Sequence, residues 1–327
     1  MSNILNKIVS GFKKSKVLVI GDLILDEFIW GDVKRISPEA PVPVVGVNSQ
    51  SYLPGGAANV ANNIIALGAE VQLAGIIGND NVGRLLIEEL TKRSIDTEGV
   101  IKDEKRPTTL KTRIIAHHQQ VVRIDKESRE HIYGQALNRV VDFVKAKIND
   151  VDAILIEDYG KGVINPVFLK KIKAIAQRHK KIITVDPKED HFSYYNNLTV
   201  ITPNRYEARI ATHMKNDTEI ELNKCGLRLL NKLKCQAVLI TLGEEGMHLF
   251  EKKNKITHIP TTAQEVFDVS GAGDTVIATL TLALSSGAKM KEAALLANYA
   301  AGIVVGKVGT AVCCFDELKQ KIKLQNR

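Results

Sequence analysis

From Asp268 to Asp274 the chain reads Asp-Val-Ser-Gly-Ala-Gly-Asp, and an apolar helical pattern, Val276 to Leu284, follows at once and stops at Gly287. Small residues let backbone N–H groups crowd toward a ligand. A helix start adds free donors and a partial positive charge, which suit a phosphate. Asp274 stands where that anion site ends. A carboxylate there can take the proton of a hydroxyl while the amides of Gly271, Ala272 and Gly273 hold a phosphoryl group in flight. The same residues also make an ordinary glycine-rich helix cap, and the local pattern leaves both readings open.

A second glycine unit, Pro54-Gly55-Gly56-Ala57-Ala58-Asn59, leads into a helical stretch from Asn59 to Leu67 and then a strand from Val71 to Ile77. The Asn59 amide can donate to and accept from sugar hydroxyls; alternatively the glycines serve close helix packing. Other chemistry-bearing signatures are missing: no GxxxxGK[ST] loop, no strand-borne GxGxxG and no HExxH. His117-His118 lacks the helical spacing of metal ligands, and His131, His179 and His258 read as surface or turn residues.

These residues need a scaffold, and the scaffold is repetitive. Short apolar runs at 17–20, 153–156, 182–185, 199–202 and 237–240 end respectively in Gly21-Asp22, Glu157-Asp158, Asp186-Pro187-Lys188, Pro203-Asn204 and Leu242-Gly243. Continuous apolar strands separated by helix-length segments imply a parallel sheet covered on both faces, with ligands outside the strands' carboxyl ends. Two stretches break this rhythm, Pro41–Val47 and Thr108–Ile124, and read as a small β flap over the site. An exposed apolar flap is also a natural dimer surface. The chain reads as one domain, 1–327, carrying lid segments at about 32–53 and 106–124.

Composition narrows the class. The 327 residues are 44% hydrophobic and 5% aromatic, with a net charge of +8. The basic residues are spread among 37 acidic ones without a block of like charge, which disfavours nucleic acid and suits a small anionic ligand or plain solubility. Cys225, Cys235, Cys313 and Cys314 form no CxxC pair, as expected of a reduced, cytoplasmic protein. No secretory signal opens the sequence, and no apolar run approaches the ~20 residues of a membrane-spanning helix.

With both glycine units, Asn204-Arg205-Tyr206-Glu207 and Thr241-Leu242-Gly243-Glu244-Glu245-Gly246 in order, the chain resembles the ribokinase-like (PfkB) carbohydrate kinases from about Val17 to Ala311. Gly21-Asp22-Leu23-Ile24-Leu25-Asp26, the stretch Trp30–Val44, Glu157–Gly162 and Asp186-Pro187-Lys188 resemble the subgroup acting on D-glycero-beta-D-manno-heptose 7-phosphate. The resemblance implies an α/β three-layer sandwich with a mostly parallel central sheet and a small β lid. It also implies ATP-dependent phosphorylation of the sugar's C1 hydroxyl in the pathway to lipopolysaccharide core heptose. No HxGH motif occurs, so the stand-alone kinase form is expected.

The resemblance assigns roles as well. Asp274 is the base, and Gly271, Ala272 and Gly273 the anion hole. Asp22, Gly55, Gly56, Asn59 and Glu157 fall on the sugar side; Lys188, Asn204, Thr241, Gly243 and Asn298 fall on the ATP side. Glu207 positions Mg²⁺ through water, and Asp268 and Ser270 match a K⁺ site. The substrate's distal phosphate needs cations, for which Arg35, Lys111, Arg113, Arg123 and Lys161 are candidates; the expectation is that at least one of Arg113, Arg123 and Lys161 serves. A kinase for another sugar, sugar phosphate or nucleoside is the alternative. A non-catalytic sensor with this fold would not need Asp274 and Glu207.

Overall fold

A computed structural model describes residues 2–117, 119–214, 218–263, 265–307, 309 and 311–325; His118 lies outside the described residues. Its strands are β1 (Lys16–Ile36), β2 (Pro43–Gly56), β3 (Glu70–Gly78), β4 (Asp96–Asp103), β5 (Thr109–Ala116), β6 (Gln119–Lys126), β7 (Ala153–Glu157), β8 (Ile182–Asp186), β9 (Val200–Ile201), β10 (Ala237–Thr241), β11 (Met247–Glu251) and β12 (Lys255–Ile259). Its helices are α1 (Ser2–Gly11), α2 (Ala57–Ala66), α3 (Asn81–Lys92), α4 (Gln135–Lys147), α5 (Pro166–Arg178), α6 (Arg205–Thr212), α7 (Glu219–Leu233), α8 (Ala272–Ser285), α9 (Met290–Val304) and α10 (Phe315–Leu324).

The central sheet runs β12-β11-β10-β9-β8-β7-β1-β3-β4. It is parallel from β10 to β4, with β11 and β12 antiparallel at one edge. Successive strand residues point to opposite faces: Val17 and Val19 join one apolar cluster, and Leu18 and Ile20 join the other. That explains the unbroken apolar runs, because both faces are covered by helices and the result is a three-layer sandwich. Truncating a buried leucine such as Leu18 to Ala would cost ~2–5 kcal/mol.

One strand departs from expectation. The run at 17–20 does not stop at Gly21-Asp22; β1 continues to Ile36, leaving the central sheet to become the spine of a second one. The crossing needs Gly21, since a Cβ there would overlap the Glu157 backbone carbonyl. In the second sheet β2 pairs antiparallel with β1, β5 parallel with β1, and β6 antiparallel with β5. This four-stranded sheet is the lid. Pairing in register puts Asp26, Lys111 and Asp125 in one row and Phe28, Arg113 and Arg123 in the next, on the same face. The opposite face carries Ile29, Ile114, Val122 and Ile124, the last two well exposed.

Helix α8 is buried along its whole length from Asp274 to Leu284, as a helix with apolar residues on every face must be. Thr281 bonds Thr184 of β8 at 2.7 Å, and Thr275 donates to Asn63 of α2 at 2.7 Å. Its N-terminus is therefore fixed against the strand ends.

Candidate functional site

Gly271 caps α8 at φ +77°, a left-handed conformation that glycine adopts without strain. Asp274 is the third helical residue and only 4% exposed. Its Oδ2 accepts from the Asn59 side-chain amide at 2.6 Å and its Oδ1 from the Tyr159 hydroxyl at 3.1 Å. Burial pushes its pKa up to about 6, against the pull of those two donors. At neutral pH its carboxylate is mostly ionised, and the two donors hold it in one orientation. Of the three amides expected to cradle an anion, that of Ala272 is taken by the Val269 carbonyl at 3.2 Å; those of Gly271 and Gly273 find no acceptor among the described residues. A Cβ on Gly273 would meet nothing closer than Asp186 Oδ2, at 3.8 Å. That is an ordinary van der Waals contact, so packing does not by itself require glycine there.

The α8 N-terminus separates two cavities. On the lid side a pocket of about 160 Å³ is bounded by Asp26, Asn59, Lys111, Arg113, Tyr159 and Asp274, together with Ser270 and Gly271. On the other side a cleft of about 450 Å³ is bounded by Thr241, Gly243, Val269, Ala272, Gly273 and Asn298. Anything transferred between their occupants passes the first turn of α8.

Carboxylates gather beneath that turn. Glu157, Asp186 and Asp274 bring oxygens within 4.8 Å of one another. Glu157 is fully buried, and no donor among the described residues is directed at either oxygen. Burial first, then the neighbouring Asp186, raises its pKa well above the usual range. Asp186 is raised likewise, by burial and then by Glu207. Glu207 forms a reciprocal cap with Asn204 at the start of α6, with bonds of 2.8 and 2.9 Å, and burial pushes its pKa to about 7. A buried carboxylate with orphaned oxygens, beside two others, fits a hard divalent cation such as Mg²⁺.

A family model described as pfkB family carbohydrate kinase matches residues 14–317. The chain belongs to that family. Among curated pfkB relatives it is 46% identical over 303 residues to the bifunctional protein HldE of Helicobacter acinonychis, covering 93% of this chain and 65% of the relative. It is 44% identical to HldE of Geobacter sulfurreducens, covering 94% and 63%. The chain thus spans just under two thirds of the length of these relatives. Among solved structures it resembles Arabidopsis thaliana ribokinase complexed with ribose and ATP, at TM-score 0.74 and 18% identity over 94% of this chain and 99% of that one. Escherichia coli phosphofructokinase-2 in complex with potassium gives 0.77 and 18%, over 96% and 99%. These structures confirm the ribokinase-like sandwich with its lid.

In this pfkB fold the expected site residues divide. Thr241, Gly243 and Asn298 line the cleft, where the Asn298 amide donates to the Pro260 carbonyl at 2.8 Å. Gly56, Asn59, Arg113, Ser270, Gly271 and Asp274 line the lid-side pocket. Others are placed elsewhere. Asp22 accepts from the backbone amides of Tyr159, Lys161 and Val163 at 2.9 to 3.2 Å, so it shapes the loop that carries Tyr159 and is off the pocket lining. Gly55 is small because a Cβ would overlap the Asp26 carboxylate. Lys161 pairs with Glu127 at 2.7 Å and Arg123 with Asp125 at 2.9 Å, which neutralises both and leaves them off the lining. Lys188 pairs with Glu189 at 2.5 Å, and Asn204 is spent capping α6; neither lines the cleft. Asp268 accepts from the Ser270 amide at 2.8 Å, bracing the turn into α8. Arg35 lies exposed near the end of β1.

The sequence motifs included Asp26, Tyr159 and Asp186 but gave none of them a role. Asp26 lines the pocket and holds Arg113 at 2.5 Å. A signal was present: Asp22, Ile24 and Asp26 alternate along one strand, which would have placed Asp26 beside the site had β1 been extended past Gly21.

Proposed function

We propose that this chain transfers the γ-phosphoryl group of ATP to the anomeric C1 hydroxyl of D-glycero-beta-D-manno-heptose 7-phosphate, giving the 1,7-bisphosphate used for lipopolysaccharide core heptose. One observation carries the reading: a glycine-capped helix N-terminus with free amides forms the common wall of two cavities, with a buried carboxylate on the polar side of it. The heptose assignment is supported by the motifs that resemble heptose 7-phosphate kinases and by the identity to the HldE proteins.

The sugar occupies the lid-side pocket with its C1 hydroxyl at Asp274. Asn59 and Tyr159 hold the carboxylate in one orientation. As the C1 oxygen bonds to the γ-phosphorus, its proton passes to Asp274 and the bond to the bridging oxygen of ADP breaks. The amides of Gly271 and Gly273, with the α8 dipole, stabilise charge on the phosphoryl oxygens. ATP lies in the cleft against Thr241, Gly243 and Asn298. Glu157 and Asp186, with Glu207 through water, would hold Mg²⁺, which when bound neutralises phosphate charge. The potassium named with the phosphofructokinase-2 structure and the carboxylate of Asp268 beside Ser270 support a K⁺ site behind the anion turn. The cations of the lid receive the 7-phosphate.

The whole of 1–327 is read as one kinase domain with lid segments at about 32–53 and 106–124. Its apolar outer lid face, Val122 and Ile124 included, would pair with a second copy. No described helix is long and apolar enough to cross a membrane, and a cytoplasmic location follows from the pathway proposed. The test is mass spectrometry of products from a panel of sugar phosphates with ATP. Heptose 7-phosphate should give the bisphosphate fastest; faster turnover of another sugar or a nucleoside would move the assignment to a sibling activity.

A further inference from the structure

Four cations stand on or beside the acceptor pocket, and three are matched by carboxylates: Arg113 by Asp26, Arg123 by Asp125 and Lys161 by Glu127. Lys111 is different. It lines the pocket, yet among the described residues no carboxylate lies within ion-pair distance and no hydrogen bond reaches its ammonium. Its ammonium stands over the face of Tyr159, 4.9 Å from the ring centroid. The strands make the mismatch plain. Lys111 is in register with an acid on either side, Asp26 on β1 and Asp125 on β6, and both acids turn to the arginines of the next row. Both of these lid carboxylates are therefore taken by arginines, and Lys111, left without an ion pair among the described residues, lines the pocket that also holds the Asp274 carboxylate.

An ammonium drawn partly out of water without an anion loses hydration and gains little in return; an aromatic face restores only part of it. Burial accordingly lowers the pKa of Lys111. Tyr159 also ties the cation to the chemistry. Its ring lies under Lys111 and its hydroxyl donates to Asp274, so the unpaired cation and the base both touch one side chain.

We propose that Lys111 is the pocket's phosphate-receiving cation, and that a phosphoryl oxygen of the bound substrates completes its coordination. This rests on the phosphoryl-transfer reading above. Two phosphates can reach the pocket: one carried by the acceptor and the one in transfer.

Lys111→Met keeps the side chain's bulk and removes the charge; Lys111→Arg restores it, and Lys111→Gln serves as a second neutral variant if Met destabilises the lid. Trp30, the single tryptophan of the chain, lies on the same lid face and reports binding by fluorescence. Titrated with inorganic phosphate, the neutral variants should show a Kd raised at least about tenfold over wild type, with recovery in the Arg variant. Calorimetry with heptose 7-phosphate and unphosphorylated heptose then separates the sources. If the acceptor's phosphate is the partner, affinity for the 7-phosphate falls roughly 10- to 150-fold while the unphosphorylated sugar binds as before. If the transferring group is the partner, both sugars bind normally and single-turnover transfer slows about tenfold or more with each. Neutral variants that bind phosphate and both sugars like wild type, and transfer at the wild-type rate, would overturn the proposal. A wild-type chain that phosphorylates no sugar yet binds phosphate through Lys111 would instead refute the proposed function and leave this site standing.

Discussion

The pocket under the lid and the cleft beyond α8 share one wall but are built from different materials. The pocket is small and ringed by Asp26, Lys111, Arg113 and Asp274, drawn from β1, β5 and the start of α8. The cleft is nearly three times larger and is walled mainly by Val266, Val269, Val276, Ala301 and Val305. Charges in a confined, partly dry pocket act at a lower effective dielectric than at a surface. The pocket is thus where a proton and a phosphoryl group can be handled, whereas the cleft offers apolar shape to a flat base. On the proposed function the two substrates are recognised by different physics, and the α8 turn serves both.

A change in the shared wall should break the comparison most severely. Gly273→Val puts a Cβ where the nearest neighbour is Asp186 Oδ2 at 3.8 Å, an ordinary contact, so its melting temperature should stay near wild type while kcat falls about 10²-fold or more. Gly55→Ala is the control, since its Cβ meets the Asp26 carboxylate: it should lower stability by ~1–3 kcal/mol. If Gly273→Val instead unfolds the protein and Gly55→Ala does not, the glycines have been assigned the wrong way round.

The pH dependence should sharpen the difference between the two sides. Asp274 is raised to about 6 by burial, and it must be ionised to accept a proton. The sugar kcat/KM should therefore be flat above that pH and fall about tenfold per pH unit below it. Adenosine, which carries no titrating phosphate and needs no Mg²⁺, should bind the cleft with hardly any change from about pH 5 to 8. An adenosine affinity that fell in parallel would assign the titration to the cleft. A smaller effect is expected at α6: Glu207→Gln should raise the Mg²⁺ needed for half-maximal rate a few-fold and leave the sugar KM unchanged. An unchanged metal titration with a damaged sugar KM would place Glu207 on the wrong side of the wall.

Much of the frame was legible because it rests on local signals. Apolar runs and helix-length spacers give a doubly covered parallel sheet, and the glycine units mark where the backbone turns into α2 and α8. The lid was less legible. Gly21-Asp22 has the composition of a turn, yet here the glycine serves the close passage of β1 past Glu157 and the aspartate clamps the Tyr159 loop, so the strand runs on. The pairings of the site were hidden for the same reason. Nothing local says that Glu127 neutralises Lys161, that Asp26 meets Arg113 eighty-seven positions away, or that Asn59 and Tyr159 converge on Asp274. Charge type can be read from a sequence; which charges cancel depends on register between distant strands.

The most direct test of the central claim is a single-turnover experiment with Asp274→Asn, both substrates bound. The substitution keeps the shape of the side chain and removes the proton acceptor. ATP and heptose 7-phosphate should bind within about twofold of wild type, while the transfer step slows ~10²–10⁴-fold. A variant that transfers phosphate at more than about a tenth of the wild-type rate, with chemistry limiting, would show that Asp274 is not the base, and the role given to the α8 N-terminus would fall with it.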